Sequence, residues 1–148
     1  MGTKQEFASY FREIQGNFSR FYATVLAKVG LTLPQYAFLS QLMATGTIPM
    51  TEASRKLHIS KPAVTNLVDR LEKSNYLARI PHPNDRRVYL LKLLPKGIRI
   101  VRKVQEAVLK ILLKTLDRFS ERKRATIIYF YRSLAATLEK TLDQGRAK

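Results

Sequence analysis

The residues with most to offer chemically are cations and amides on two neighbouring stretches, and what they can do is recognise an anionic polymer without covalent chemistry. Arg86 and Arg87 follow the turn-forming run His82-Pro83-Asn84-Asp85, which separates two β-favouring runs, Leu77–Pro81 and Val88–Leu94. An arginine projecting from the tip of a narrow ribbon suits a minor groove, where compressed width deepens the negative potential. Asp85, two residues before Arg87, can clamp that guanidinium and spare it rotamer entropy on binding. Upstream, Lys61, Thr65, Asn66, Asp69, Arg70 and Lys73 recur on one side of a helical pattern. Asn66 carries the donor and acceptor pair that matches adenine N6 and N7, with Thr65 beside it as a second candidate base reader. Lys61 and Arg70 suit phosphates, which take most protein–DNA hydrogen bonds.

Elements must aim these groups. Ser60 is placed to cap a helix whose first turn holds Lys61 and Pro62, where a missing N–H is harmless. Ala63, Val64, Leu67, Val68 and Leu71 then recur at the spacing of one buried face. A rod from Ser60 to Ser74 would be roughly 22 Å long. Its N-terminal half is small and polar, as close approach to base edges requires. Before it, Thr51–His58 reads as a shorter helix with Thr51 as its cap and Ile59 filling the turn. Helix, turn, helix and basic-tipped hairpin make a winged helix-turn-helix.

The run Ser60-Lys61-Pro62-Ala63-Val64-Thr65-Asn66-Leu67-Val68-Asp69-Arg70-Leu71-Glu72, with Leu77, the Asp85-Arg86-Arg87 tip and Leu93 to Gly97, resembles the MarR family of winged-helix regulators. Element order and chain length fit as well. The resemblance implies an obligate homodimer with a reading helix in each of two successive major grooves and a wing arginine in the flanking minor groove. It also implies release from DNA when a small aromatic or phenolic ligand, an oxidant or a metal is sensed. Two positions depart from the family pattern. Leu94 stands where members often carry a helix-capping Thr, and Asn66 where many carry Arg.

The flanks read as support. Phe7, Tyr10, Phe11, Ile14, Phe18, Phe21, Tyr22 and Val25 form a stripe on a helix expected over Lys4–Val29 and ended by Gly30. So much aromatic surface on a terminal helix suggests a partner subunit, with an ordinary intrachain core face as the plain alternative. Thr32-Leu33-Pro34-Gln35 matches a capping box, and the helix it opens ends at Gly46. Thr47–Met50 is suited to pair with the hairpin as a third strand. After Gly97, Ile98, Val101, Gln105, Val108, Leu112 and Leu116 mark a helix widened by Val104, Ile111 and Leu113. Ser120-Glu121 opens a last helix, and Gly145–Lys148 reads as a frayed tail. The expected division is 1–30 for dimerisation, 31–97 for the winged helix-turn-helix and 98–148 for dimerisation again.

Composition limits the alternatives. A net charge of +16 predicts affinity for polyanions. Residues 51–95 hold +5 of it and 96–148 hold +9, so the charge of the C-terminal part, including Arg118, Arg122, Lys123 and Arg124, belongs mainly to solvated helix faces. Cysteine is absent, which excludes disulfides, thiolate metal sites and thiol-based oxidant sensing. No secretory leader pattern and no long apolar run is present, pointing to a soluble cytoplasmic protein with no membrane partner. His58 and His82 lack companion ligands, and no phosphate-cradling loop or nucleophile motif occurs, so neither metal, cofactor nor catalytic site is expected. The mainly α chain with a small β wing is therefore expected to be a homodimeric regulator on a pseudo-palindromic operator. It would act by default as a repressor released by a small effector, for which Tyr10, Phe11, Tyr22, Tyr36 and Phe38 are candidate contacts. The alternative is an architectural winged helix that coats DNA with little sequence preference.

Overall fold

In a computed structural model, residues 2–57 and 59–146 are described, and they form six helices and three strands. The order is α1 (Thr3–Ala27), α2 (Leu33–Thr45), β1 (Ile48–Pro49), α3 (Met50–Leu57), α4 (Lys61–Lys73), β2 (Leu77–His82), β3 (Asp85–Leu93), α5 (Pro95–Leu116) and α6 (Glu121–Arg146). The architecture is mainly helical with a small antiparallel sheet in the order β1-β3-β2, as expected for a winged helix-turn-helix. The chain divides into two compact units, Met1–Glu106 and Ala107–Lys148.

In the first unit, short-range chemistry sets most helix ends. Gly30, at φ +67°, turns the chain after α1, and its N–H and that of Leu31 take the carbonyls of Ala27 and Leu26 at 3.2 and 3.1 Å. At α2 the capping box is complete, with Gln35 N–H donating to Thr32 Oγ1 and Thr32 N–H donating to Gln35 Oε1. Gly46, at φ +85°, ends it. Thr51 does not cap α3. The helix begins one residue earlier, at Met50, because Pro49 has no N–H to place and its fixed φ lets β1 run straight into a helical turn. Ile59 remains 38% exposed, so it only partly fills the turn. His58 lies outside the described residues.

The sheet pairs Ile48 with Leu91 and Leu77 with Leu93. The wing's strands reach closer to the tip than the sequence suggests. His82 and Asp85 are strand residues facing each other across a two-residue turn, Pro83-Asn84, and Arg86 and Arg87 belong to β3. His82 Nδ1 accepts from the Asn84 N–H at 3.2 Å, which stabilises so short a connection. Among the described residues β2 has β3 as its sole strand neighbour, and Pro81 sits on this edge strand, where a missing donor is tolerated.

The core gathers Phe38, Leu39 and Leu42 of α2, Ala53 of α3, Val64, Val68 and Leu71 of α4, Ile48, Leu77 and Leu91 of the sheet, and Val101 and Val104 of α5, all essentially without exposure. α1 contributes little to it, burying only Leu26 fully. In the second unit, Arg124 closes the end of α5, its Nε donating to the Phe119 carbonyl at 2.8 Å and Nη2 to that of Asp117 at 2.9 Å. α6 runs on through Gly145 to Arg146 rather than fraying at Gly145, and residues 147 and 148 lie outside the described part. No described helix is long and apolar enough to cross a membrane.

Gly97 lies where α5 meets the turn after α4, and a Cβ there would stand 2.1 Å from the Tyr76 carbonyl oxygen. Gly16, inside α1, has nothing within 4 Å of its would-be Cβ. Gly97→Ala should therefore destabilise by about 1–3 kcal/mol through forced backbone displacement. Gly16→Ala should stabilise by about 0.5–1 kcal/mol through reduced unfolded-state entropy. Urea midpoints of the two variants against the parent test this pair, and shifts of the same sign would contradict the packing described.

Candidate nucleic-acid interface

α4 is buried along Val64, Val68 and Leu71, while Lys61, Pro62, Ala63, Thr65, Asn66 and Arg70 are all exposed. Ser60 caps it, its Oγ accepting from the Ala63 N–H at 3.4 Å. Thr65 Oγ1 donates to the Lys61 carbonyl at 3.0 Å, which turns the hydroxyl proton inward and leaves the methyl and an oxygen lone pair outward. Asn66 makes no such local bond and presents a whole amide. The far end of α4 closes with Asn75 in the left-handed region at φ +59°, the Asn75 N–H donating to the Glu72 carbonyl and the Tyr76 N–H to that of Leu71, each at 2.9 Å.

On the hairpin, Asp85, Arg86 and Arg87 are exposed. The Asp85 carboxylate does not clamp the Arg87 guanidinium. It accepts from the Arg87 backbone N–H at 2.9 Å, because an amide two residues on lies within reach of so short a side chain. The carboxylate thus shapes the tip's backbone and leaves both guanidinium groups pointing to solvent.

Two junctions absent from the sequence reading hold these surfaces. Arg79, on β2, meets two carboxylates of α4: its backbone N–H donates to Glu72 Oε1 at 2.9 Å, Nη1 bonds Glu72 Oε2 and Nη2 bonds Asp69 Oδ1. Burial alone would lower the Arg79 pKa, but the bonds and charges of Asp69 and Glu72 outweigh it and raise it above its ordinary value. The signal for this cluster was the i, i+3 spacing of Asp69 and Glu72 followed by a lone strand arginine. Tyr76 forms the second junction. Its hydroxyl donates to the Val29 carbonyl at 3.2 Å, its own carbonyl accepts from the Leu94 N–H at 3.1 Å, and Lys96 Nζ lies 4.5 Å from its ring centre while bonding the Ser74 carbonyl.

The aromatic residues expected near an effector are not gathered in one place. Tyr22 and Tyr36 have ring centres 5.7 Å apart, Phe38 is sealed in the core, and Tyr10 and Phe11 are 58% and 50% exposed on α1. Among the described residues no group of acidic, histidine or cysteine side chains could hold a metal ion.

A model of the MarR family matches residues 31–89. The crystal structure of transcriptional regulator Tm0710 from Thermotoga maritima is 31% identical and superposes with a TM-score of 0.76 over 94% of this chain and 98% of that one. The chain belongs to the MarR family. MarR proteins are DNA-binding transcriptional regulators and not enzymes. The HTH-type transcriptional regulator YsmB of Bacillus subtilis is 35% identical over 80 residues, 54% of this chain and 55% of that protein, and the chain spans about half the length of the curated relatives it matches. A point mutant of S. aureus MepR, solved bound to an oligodeoxyribonucleotide, shares the MarR fold at 20% identity and a TM-score of 0.70 over 89% of this chain and 97% of that one.

Tyr36 lets the aromatic junction be probed in solution. Burial, then the neighbouring Tyr22, raise its pKa above the ordinary 10.0, against a lowering bond from Ser40. A raised native pKa means the folded state keeps a proton that the unfolded chain loses first. Stability from this site is thus intact below pH 10 and declines as pH climbs through and past it. Tyr36→Phe should flatten that alkaline loss in urea melts at stepped pH, and an unchanged slope would show that Tyr36 ionises freely.

Proposed function

We propose that this MarR-family chain is a homodimeric, sequence-specific DNA-binding transcriptional regulator. Its default action is repression, relieved by a small aromatic or phenolic effector. The observation that carries the reading is the two-sidedness of α4: Val64, Val68 and Leu71 anchor it while Lys61, Thr65, Asn66 and Arg70 stay bare, next to a hairpin with exposed Arg86 and Arg87. Each subunit sets Ser60–Lys73 into a major groove, where Thr65 and Asn66 read base edges and Lys61 and Arg70 take phosphates. Arg86 and Arg87 enter the adjoining minor groove, with Asp85 shaping the backbone beneath them.

The dimer is supported by apolar side chains that the chain itself leaves uncovered. On α1, Tyr10, Phe11 and Ile14 are at least half exposed. On α5 and α6, Leu109, Leu113, Ile128, Tyr131 and Leu138 are exposed as well. Such surface is costly in water and is removed when two copies associate about a two-fold axis. Two copies also match a pseudo-palindrome with half-sites about 34–36 Å apart. An effector binding among Tyr10, Phe11, Tyr22, Tyr36 and Phe38 works only if it favours one spacing of the reading helices over another. Phe38 can take part only if the core opens.

A cognate promoter should be bound at least about 10³-fold more tightly than random duplex. Equal binding to both would mean an architectural, DNA-coating protein instead, to which the +16 charge is equally suited. Affinity should also fall by about 10³–10⁵ between 50 and 200 mM salt if the dimer makes six to ten phosphate contacts.

Within the operator, Asn66→Ala should relax one base position in each half-site at a cost of about 1–3 kcal/mol, and Arg87→Ala should weaken binding most where the flanks are A·T-rich. Selection from a randomised operator library reads both. A uniform loss across sequences for Asn66→Ala would reassign it to phosphate contact.

A further inference from the structure

We propose that Arg79 is a positioning residue that locks the wing to α4, so that helix and hairpin meet DNA as one rigid body. The lock itself is a property of the free protein, and only its consequence for DNA rests on the function proposed above.

β2 is an edge strand, paired with β3 on one side only. Its other side faces α4, and there Glu72 receives both the backbone N–H and the guanidinium of Arg79 while Asp69, one helical turn earlier, takes the remaining arm. A carboxylate bonded to strand backbone and strand side chain together cannot change rotamer without moving the strand. The Arg79 side chain is 24% exposed, and its guanidinium is fixed at two of its nitrogens and planar, so it resists rotation as well. The contrast is the Arg55–Glu52 pair of α3, at 3.7 Å with the arginine 78% exposed, where water competes at every position.

The clamp lies between the two proposed reading surfaces. Asp69 follows Asn66 by three residues on α4, and Arg79 pairs with Leu91 on β3, four residues from Arg87. The tip is thus about 13 Å from the clamp along the strand. A 10° swing of the hairpin would carry Arg87 by roughly 2 Å, beyond the tolerance of about 0.5 Å that a preorganised contact allows. With the clamp closed, the position of α4 in one groove dictates where the arginine enters the next.

Two measurements test this. Amide relaxation on the free protein should give rigid order parameters of about 0.85 at Arg86 and Arg87, falling below about 0.6 in Arg79→Gln and in Glu72→Gln, with Arg79→Lys between. In the second, Arg87→Ala should cost on the order of tenfold in operator affinity in the parent, but less than about threefold when Arg79→Gln is also present. A residue that merely stabilises the fold would lower the melting temperature and leave both readouts unchanged. Unaltered wing order, or an undiminished cost of Arg87→Ala, overturns the proposal. Should Arg79→Gln not fold, Glu72→Gln takes its place in both. If the parent prefers no duplex over another, it is the regulator reading that fails, and the relaxation data alone decide the clamp.

Discussion

A helix offered to a partner has to be held firmly along one side and left bare along the other. α4 meets this constraint with three side chains. Burying Val64, Val68 and Leu71 contributes about 1.5–3 kcal/mol each, ample to fix a helix of thirteen residues whose remaining faces gain little from packing. Because those three fill its inner face, the polar residues have nowhere to go but outward. The ends matter equally, since unsatisfied amides and carbonyls would let the rod fray from the turns that carry its polar groups. Ser60 secures one end, and the left-handed Asn75 secures the other.

Tyr76 extends that anchoring beyond the helix. Through its N–H, carbonyl, hydroxyl and ring it joins the close of α4 to the end of α1 and the start of α5. A single residue thereby ties α4 to two elements distant from it in the chain. The segment that follows α1 is bonded to this joint through the Val29 carbonyl, while α2, whose Tyr36 packs on Tyr22, meets α4 in the shared core. The bareness of Gly97 is part of the same joint, because only a residue without a side chain can approach the Tyr76 carbonyl so closely.

What could be read in the sequence was whatever depends on neighbours a few residues away. The capping box at Thr32, the glycine stops at Gly30 and Gly46, the Ser60 cap and the three-and-four spacing of α4 all involve partners within a turn or two, and all appear where they were expected. The failures share a different cause. Thr51 looks like a cap, yet the helix already begins at Met50 directly after β1, and the extent of the wing strands depends on how tightly Pro83-Asn84 turns. Asp85 looks like a partner for a guanidinium, yet the nearer amide wins. The Arg79 cluster and the Tyr76 joint bring together residues separated by up to 47 positions, and such meetings follow from the packing of α4 on the sheet.

The outer side of β2 has one more property. Free strand edges recruit other strands. Here the outward N–H of Arg79 is already taken by Glu72, and two residues on, where the ladder's alternation would present the next outward donor, Pro81 has none to give. Along this edge, then, neither Arg79 nor Pro81 has a free donor to offer an incoming strand.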